Sequence, residues 1–324
     1  MAKSSEFFTV FTDRPMNVGV TSISNELPSG SRDSKGMVAL HLLLKAVVVA
    51  GTGAGSFIDA MARAAENLTL RLSNDGVIYT LPSVALIVRN NLLSFGGTTQ
   101  ISPFTGASGT YYVHLPLLMV DRRTVIPEDT VLDLRRNHSL QLDITLGGTN
   151  RFYATPGTSS VTFTLDLEIE TYDRPLSSNN PQKWSQYIAH KQTVPVSVGK
   201  ILIEQSPSLW IKRLIWTVTD SADPWQGTPF SFSTPSVRRW TIEDIDGPVG
   251  VKGCSDQLLT IRRSCEYNPF HIDTLRVHDY IARSGSNMDA TSANRTGFAL
   301  TWDTIVAPPA HHVHLLIDGL KLLT

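Results

Sequence analysis

Polar and apolar positions alternate with a period of two over much of the chain. Val161, Phe163, Leu165, Leu167 and Ile169 are separated by Thr162, Thr164, Asp166 and Glu168. Leu140, Leu142, Ile144 and Leu146 alternate with Gln141, Asp143 and Thr145, and Leu68, Leu70 and Leu72 with Thr69 and Arg71. Successive side chains of a strand point to opposite faces, so each run predicts a strand with one face in a core and the other in water. Strands covered on both faces read as unbroken apolar runs, so clean alternation predicts antiparallel sheets. Further strands are predicted over residues 37–50, 111–120, 184–196, 209–219, 237–245, 298–305 and 313–323.

Turn signals separate these runs at Asn74-Asp75-Gly76, Gly96-Gly97, Gly147-Gly148, Asp246-Gly247-Pro248 and Pro308-Pro309. A short helix is expected after Ser56, which can cap it, with Asp59 completing a capping box and Phe57, Met61, Ala64 and Ala65 near one face. A second helix is expected somewhere in residues 83–93.

A chain of 324 residues outgrows a single core. The strand pattern breaks at residues 175–183, PLSSNNPQK, which predicts a linker. The expectation is an all-β chain with one or two short helices, built as two consecutive eight-stranded jelly-roll β-sandwiches, a double jelly roll. Residues 1–36 form an N-terminal arm, 37–175 the first jelly roll, 176–183 the linker and 184–324 the second. Phe7, Phe8 and Phe11, ahead of a run rich in Ser, Gly and Pro, mark the arm as an assembly segment that docks on a neighbour. Its lack of core periodicity predicts that the β fold survives its removal.

Charge removes one class of partner. The formal net charge is −1, and within the first 36 residues Lys3, Arg14, Arg32 and Lys35 are balanced by Glu6, Asp13, Glu26 and Asp33. Without clustered cations there is little counterion release to gain, so direct sequence-specific nucleic-acid binding is not expected. Glu6 and Asp13 interrupt any apolar signal core, and residues 37–50, which contain His41 and Lys45, are too short to span a bilayer. Cys254 and Cys265 form no CxxC pair and are expected as reduced thiols.

Two segments mimic enzymatic motifs. In VVVAGTGAGSFIDAMARAAE, Gly51, Gly53 and Gly55 follow an apolar strand and precede a helix, as in a dinucleotide fold, with Asp75 in place to reach a ribose. Ser56 stands where the third glycine of that motif belongs, and the repeated helices of a βαβ sheet are missing. A glycine turn between strand and helix is the expectation. His312 and His314 share a strand face, and with Asp318 they resemble the first metal motif of the cupins. The chain ends at Thr324, before a second motif could supply another histidine. No metal and no cofactor are therefore expected, with His312, His314 and Asp318 as the only candidate ligands. His271, Asp273, His278 and Asp279 fit no ligand template. Arg122-Arg123, Arg135-Arg136, Arg238-Arg239 and Arg262-Arg263 are scattered, which suits ion pairs between subunits better than a nucleic-acid track.

The order of these features resembles the double jelly-roll major capsid proteins of tailless, internal-membrane-containing icosahedral phages, the corticovirus and flavobacterial lipid-phage type. The resemblance rests on the strand at residues 37–49, the short helix near Phe57 and LTLRLSNDGVIYTLPSVALIVRNN at residues 68–91. It extends to a second β-rich half ending HVHLLIDGLKLLT. It implies a structural protein and no enzyme. Homotrimers would form pseudo-hexameric capsomers of an icosahedral shell around an internal membrane. The implied partners are further copies, neighbouring capsomers, vertex or minor capsid proteins and the viral membrane. The implied location is the virion capsid, assembled in the host cytoplasm. Two other functions suit an all-β chain: a carbohydrate-binding or adhesin sandwich, for which Trp225 is the available loop tryptophan, and a cupin-like metalloenzyme using His312 and His314.

Overall fold

The computed structural model describes residues 5–24, 27, 35–72, 76–93, 100–120, 131–133, 139–175, 184–204, 209–226, 237–244, 254–256, 275–279, 297–304 and 310–322. The chain divides into two compact units, the first built mainly from residues up to Gln186 and the second from Tyr187–Leu322. Residues 176–183, expected as the linker, lie outside the described residues.

Unit 1 runs through β1 (Ser5–Met16), β2 (Gly19–Ile23), β3 (Lys35–Val49), β4 (Ala54–Ser56), α1 (Ala60–Arg63), β5 (Ala65–Leu72) and β6 (Gly76–Leu81). It continues with α2 (Ser83–Leu93), β7 (Gly109–Leu118), β8 (Leu132–Asp133), β9 (Leu140–Leu146), β10 (Tyr153–Thr155) and β11 (Ser160–Pro175). One sheet has the order β1-β11-β3-β7, with β8 beside β3; a second carries β6-β5-β9-β2, and β4 pairs with β10. These pairings are antiparallel, as the alternation predicts. Register sets apolar residue against apolar residue: Leu44, Leu42 and Leu40 face Leu165, Leu167 and Ile169, while Leu68, Leu70 and Leu72 face Ile144, Leu142 and Leu140. All of these are buried. A one-residue slip would turn each set outward, so burial itself fixes the register.

Residues 5–23, expected in a loose arm, are strands of this unit. β1 pairs with β11 from Ser5↔Tyr172 to Met16↔Phe163, and β2 pairs with β9. Met16, Ile23 and Leu27 are 5%, 1% and 4% exposed. Lys45 Nζ lies 2.8 Å from Asp13 Oδ1 and 2.7 Å from Asp166 Oδ2, linking β1, β3 and β11, and these bonds raise the lysine pKa above its usual value. The strand escaped the sequence pattern because it is bulged. Register shifts fall between Thr9 and Phe11 and between Phe11 and Arg14, and Asp13 sits at φ 48° with its N–H donating to Asp166 Oδ1. Each bulge resets which face a side chain meets, and the period of two is lost.

The first helix also departs from expectation. Ser56 ends β4 rather than capping a helix, and α1 is a single turn whose N-cap Asp59 makes no side-chain capping bond. Its carboxylate instead binds the Arg63 guanidinium at 2.7 Å, one turn on. The second helix, α2, spans the predicted residues, with Ser83 Oγ 2.7 and 2.8 Å from the carbonyls of Ala62 and Ala65.

Unit 2 is formed by β12 (Trp184–Pro195), β13 (Lys200–Glu204), β14 (Leu209–Thr219), β15 (Val237–Asp244), β16 (Cys254–Ser255), β17 (Arg276–Asp279), β18 (Gly297–Thr304) and β19 (His312–Leu322). One sheet carries β17-β14-β19-β12 and the other has the order β13-β18-β15-β16. Between them Trp216 of β14 meets Trp240 of β15 with ring centroids 5.5 Å apart, and Trp240 meets Trp302 of β18 at 5.4 Å. The two sheets also share a buried clasp. Asp256, just after β16, accepts the Trp240 indole N–H at 2.6 Å and the Arg276 guanidinium of β17 at 2.8 and 2.9 Å. A bidentate pair of this kind fixes both partners in direction as well as distance.

Candidate functional site

The glycine-rich turn offers no phosphate cradle. A cradle needs free backbone N–H groups, and here Ala50, Gly51 and Thr52 donate theirs to Ser108 Oγ, Ser159 Oγ and Thr158 Oγ1 at 2.9–3.1 Å. The glycines serve close approach to the 156–159 turn instead. A Cβ on Gly51 would lie 2.2 Å from Thr158 Oγ1 and 2.7 Å from the Thr158 carbonyl carbon. One on Gly53 would lie 2.6 Å from Ser159 Oγ, and Gly55 has φ +69°. Asp75 lies outside the described residues.

The histidine motif of β19 does not converge on one point. Asp318 and His314 are both fully buried, but four residues of strand separate them by about 13 Å. Asp318 is held by Lys212 Nζ at 3.2 Å and Arg213 Nη1 at 3.1 Å. Adjacent strand residues normally point apart; a register shift between Ile211 and Arg213 lets both cations turn to one carboxylate. His314 has its own partners: Thr193 Oγ1 and the Trp225 N–H at Nδ1, and Thr219 Oγ1 at Nε2. His312 lies opposite Thr219 in register. Among the described residues no three His, Cys, Asp or Glu side chains are grouped to hold a metal ion.

His278 is buried on β17, whereas His271 and Asp273 lie outside the described residues. Arg238 and Arg239 are exposed on β15; the other three arginine pairs, and the thiols of Cys254 and Cys265, fall outside what is described. Trp225, the candidate sugar platform, is only 5% exposed and so offers no ring face to a glycan.

Phe7 and Phe8 are exposed at 59% and 41% on β1, an edge strand of its sheet, and the Arg14 guanidinium lies 5.1 Å from the Phe11 ring centroid. Val47, Val49 and Tyr112 add exposed apolar surface on β3 and β7 of the same sheet, and Val18 and Val20 lie at and beside β2. One polar cluster escaped sequence reasoning. His41, His114 and Glu170 meet on the side of the β11-β3-β7 sheet opposite Leu40 and Leu42, and only register brings them together.

No protein-family model matches the chain, and no curated protein matches it by sequence. Solved structures do. The major capsid protein of Sulfolobus Turreted Icosahedral Virus superposes with a TM-score of 0.67 at 13% identity, covering 98% of this chain and 97% of that one. The fold is the double jelly roll of viral major capsid proteins. The major capsid protein of bacteriophage PM2 shares this double jelly roll at a TM-score of 0.57 and 11% identity, covering 99% of this chain and 98% of its own. The Faustovirus major capsid protein does so at 0.56 and 7%, covering 100% and 90%.

Proposed function

We propose that the protein is a viral major capsid protein, a structural subunit of an icosahedral shell with no catalytic role. The observation that carries this reading is end-to-end correspondence. Both β-sandwich units of one chain are matched over nearly the full length of capsid subunits, with little left over on either side. Three copies of a two-sandwich chain supply six similar sandwiches, enough to tile a hexagonal position by closed symmetry. Homotrimeric, pseudo-hexameric capsomers are the assembly proposed, in contact with one another and with vertex or minor capsid proteins, around an internal membrane. The location is the virion capsid, with assembly in the host cytoplasm.

The exposed apolar side chains suit this role, because a subunit can hide them in its neighbours. Phe7 and Phe8 are proposed as assembly contacts made from an edge strand rather than from a free arm. Among the described residues, the occupied N–H groups of Gly51 and Thr52 and the burial of Trp225 lend the nucleotide and sugar readings no support. Sedimentation and negative-stain microscopy of the purified protein test the proposal: trimers or shells support it, and a monodisperse monomer refutes it.

A further inference from the structure

His314 holds a loop closed by one ring nitrogen. Its Nδ1 lies 3.0 Å from the backbone nitrogen of Trp225, and a backbone N–H can only donate. Nδ1 is therefore the unprotonated atom, and the ring proton sits on Nε2, 2.7 Å from Thr219 Oγ1. Thr219 Oγ1 in turn lies 3.2 Å from both the carbonyl and the amide of Ser221, so the neutral tautomer closes a network over the start of the loop. Asp223 N–H to Ser221 Oγ and Gln226 N–H to Asp223 O complete the turn.

The far end of that turn is strained. Trp225 has φ +59°, a region that a bulky residue enters only when its surroundings hold it there, and its indole is buried beside the His314 ring at 6.4 Å. A second partner waits at the same nitrogen. Thr193 Oγ1 of β12 lies 3.1 Å from Nδ1 and 3.3 Å from His190 Nε2. A protonated Nδ1 can donate to this hydroxyl, but it can no longer accept from Trp225.

We propose that residues 219–226 form a proton-released latch: neutral His314 holds the strained Trp225 backbone closed, and protonation of Nδ1 exchanges Trp225 for Thr193 and frees the loop. The groups that face the imidazole are His190 from β12, His312 from its own strand, and Ser221 and Asp223 from the loop. Burial, then the proximity of His190, pushes His314 down to about 4, with the Ser221 backbone and Asp223 opposing. Its folded value is depressed, so the closure it provides is complete above the ordinary histidine range and is lost as pH falls through about 4. The latch presents an apolar side chain only in acid. It stands on unit 2 alone and does not depend on the capsid role.

Hydrogen exchange on the full chain, at neutral pH and near pH 4 with intrinsic rates corrected, compares the original protein with His314→Asn, whose Oδ1 can still accept the Trp225 N–H without titrating. The expected result is that amides of residues 219–226 lose protection about tenfold or more in acid while β14 stays protected, and that His314→Asn keeps the loop closed at both pH values. Protection retained in acid by the original protein, or lost equally in the variant, overturns the proposal. Should the variant not fold, NMR titration of the original protein decides. A Trp225 amide resonance that moves with the His314 midpoint supports the latch, and one that stays fixed through that titration overturns it.

Discussion

His41 Nδ1 and His114 Nε2 face each other at 3.0 Å across β3 and β7, with Glu170 Oε2 3.1 Å from the other nitrogen of His41. The rings are within 12° of parallel, and their centroids, 5.2 Å apart, are separated by the hydrogen bond plus about two ring radii, an end-on rather than a face-on meeting. A zinc ion in line between them would hold the nitrogens about 4 Å apart. The gap fits a shared proton. Nε2–H of His114 can donate to His41 Nδ1, and Nε2–H of His41 to Glu170.

Burial, reinforced by His41 and opposed by Glu168, lowers the His114 pKa from its ordinary value. The unfolded chain therefore binds this proton at higher pH than the folded one. The stability that neutral His114 contributes is complete above about pH 6.5 and is lost as pH falls toward its depressed value. Thermal melting of His114→Asn should show a smaller fall in Tm between neutral and mildly acid pH than the original protein does. An equal fall in both would remove His114 from the account.

Gly51 lies against backbone atoms that cannot step aside, namely the carbonyl carbon of Thr158 at 2.7 Å and the amide nitrogen of Ser159 at 2.9 Å from its notional Cβ. Gly51→Ala should cost about 1–3 kcal/mol through overpacking, read as a lower melting temperature. The same melts with millimolar NAD, NADP or ATP should show no saturable shift, because the N–H groups of Ala50, Gly51 and Thr52 already have partners.

Asp318 carries two buried cations on one carboxylate. Asp318→Asn should destabilise the protein by about 3–5 kcal/mol, because Lys212 and Arg213 stay buried with one counter-charge fewer. Chemical denaturation would measure it, and a loss below about 1 kcal/mol would show that those cations lean mainly on other groups.

Deletion of residues 2–36 should now unfold unit 1, contrary to the expectation of a dispensable arm. It removes β1, β2 and the buried side chains of Met16, Ile23 and Leu27. At about 1.5–3 kcal/mol each, these three amount to roughly 5–9 kcal/mol. That is comparable to the whole stability of an ordinary domain, about 5–15 kcal/mol. Circular dichroism and melting of the deletion check this. Retention of the full β signal and an unchanged transition would restore the arm.

What the sequence disclosed follows from what period-two patterning measures. The strand Leu140–Leu146 falls on the residues predicted for it, because an unbulged strand over a core carries burial directly in its residue order. β1 was invisible because two bulges scramble its faces, and the short β4, β10 and β16 hold too few residues to show a period. Chemistry was harder to read. His314 looked like a metal ligand because composition shows a histidine but not the Thr219 hydroxyl and Trp225 amide that occupy it. The His41–His114–Glu170 row needed the register of three strands, which no local pattern encodes.

The capsid proposal stands or falls on whether this double jelly roll assembles. Sedimentation velocity of the purified full-length protein at micromolar concentration, with negative-stain images of the same sample, tests it most directly. The expected result is a homotrimer with a pseudo-hexagonal outline, alone or built into shells. A single monodisperse monomer across that concentration range would contradict it.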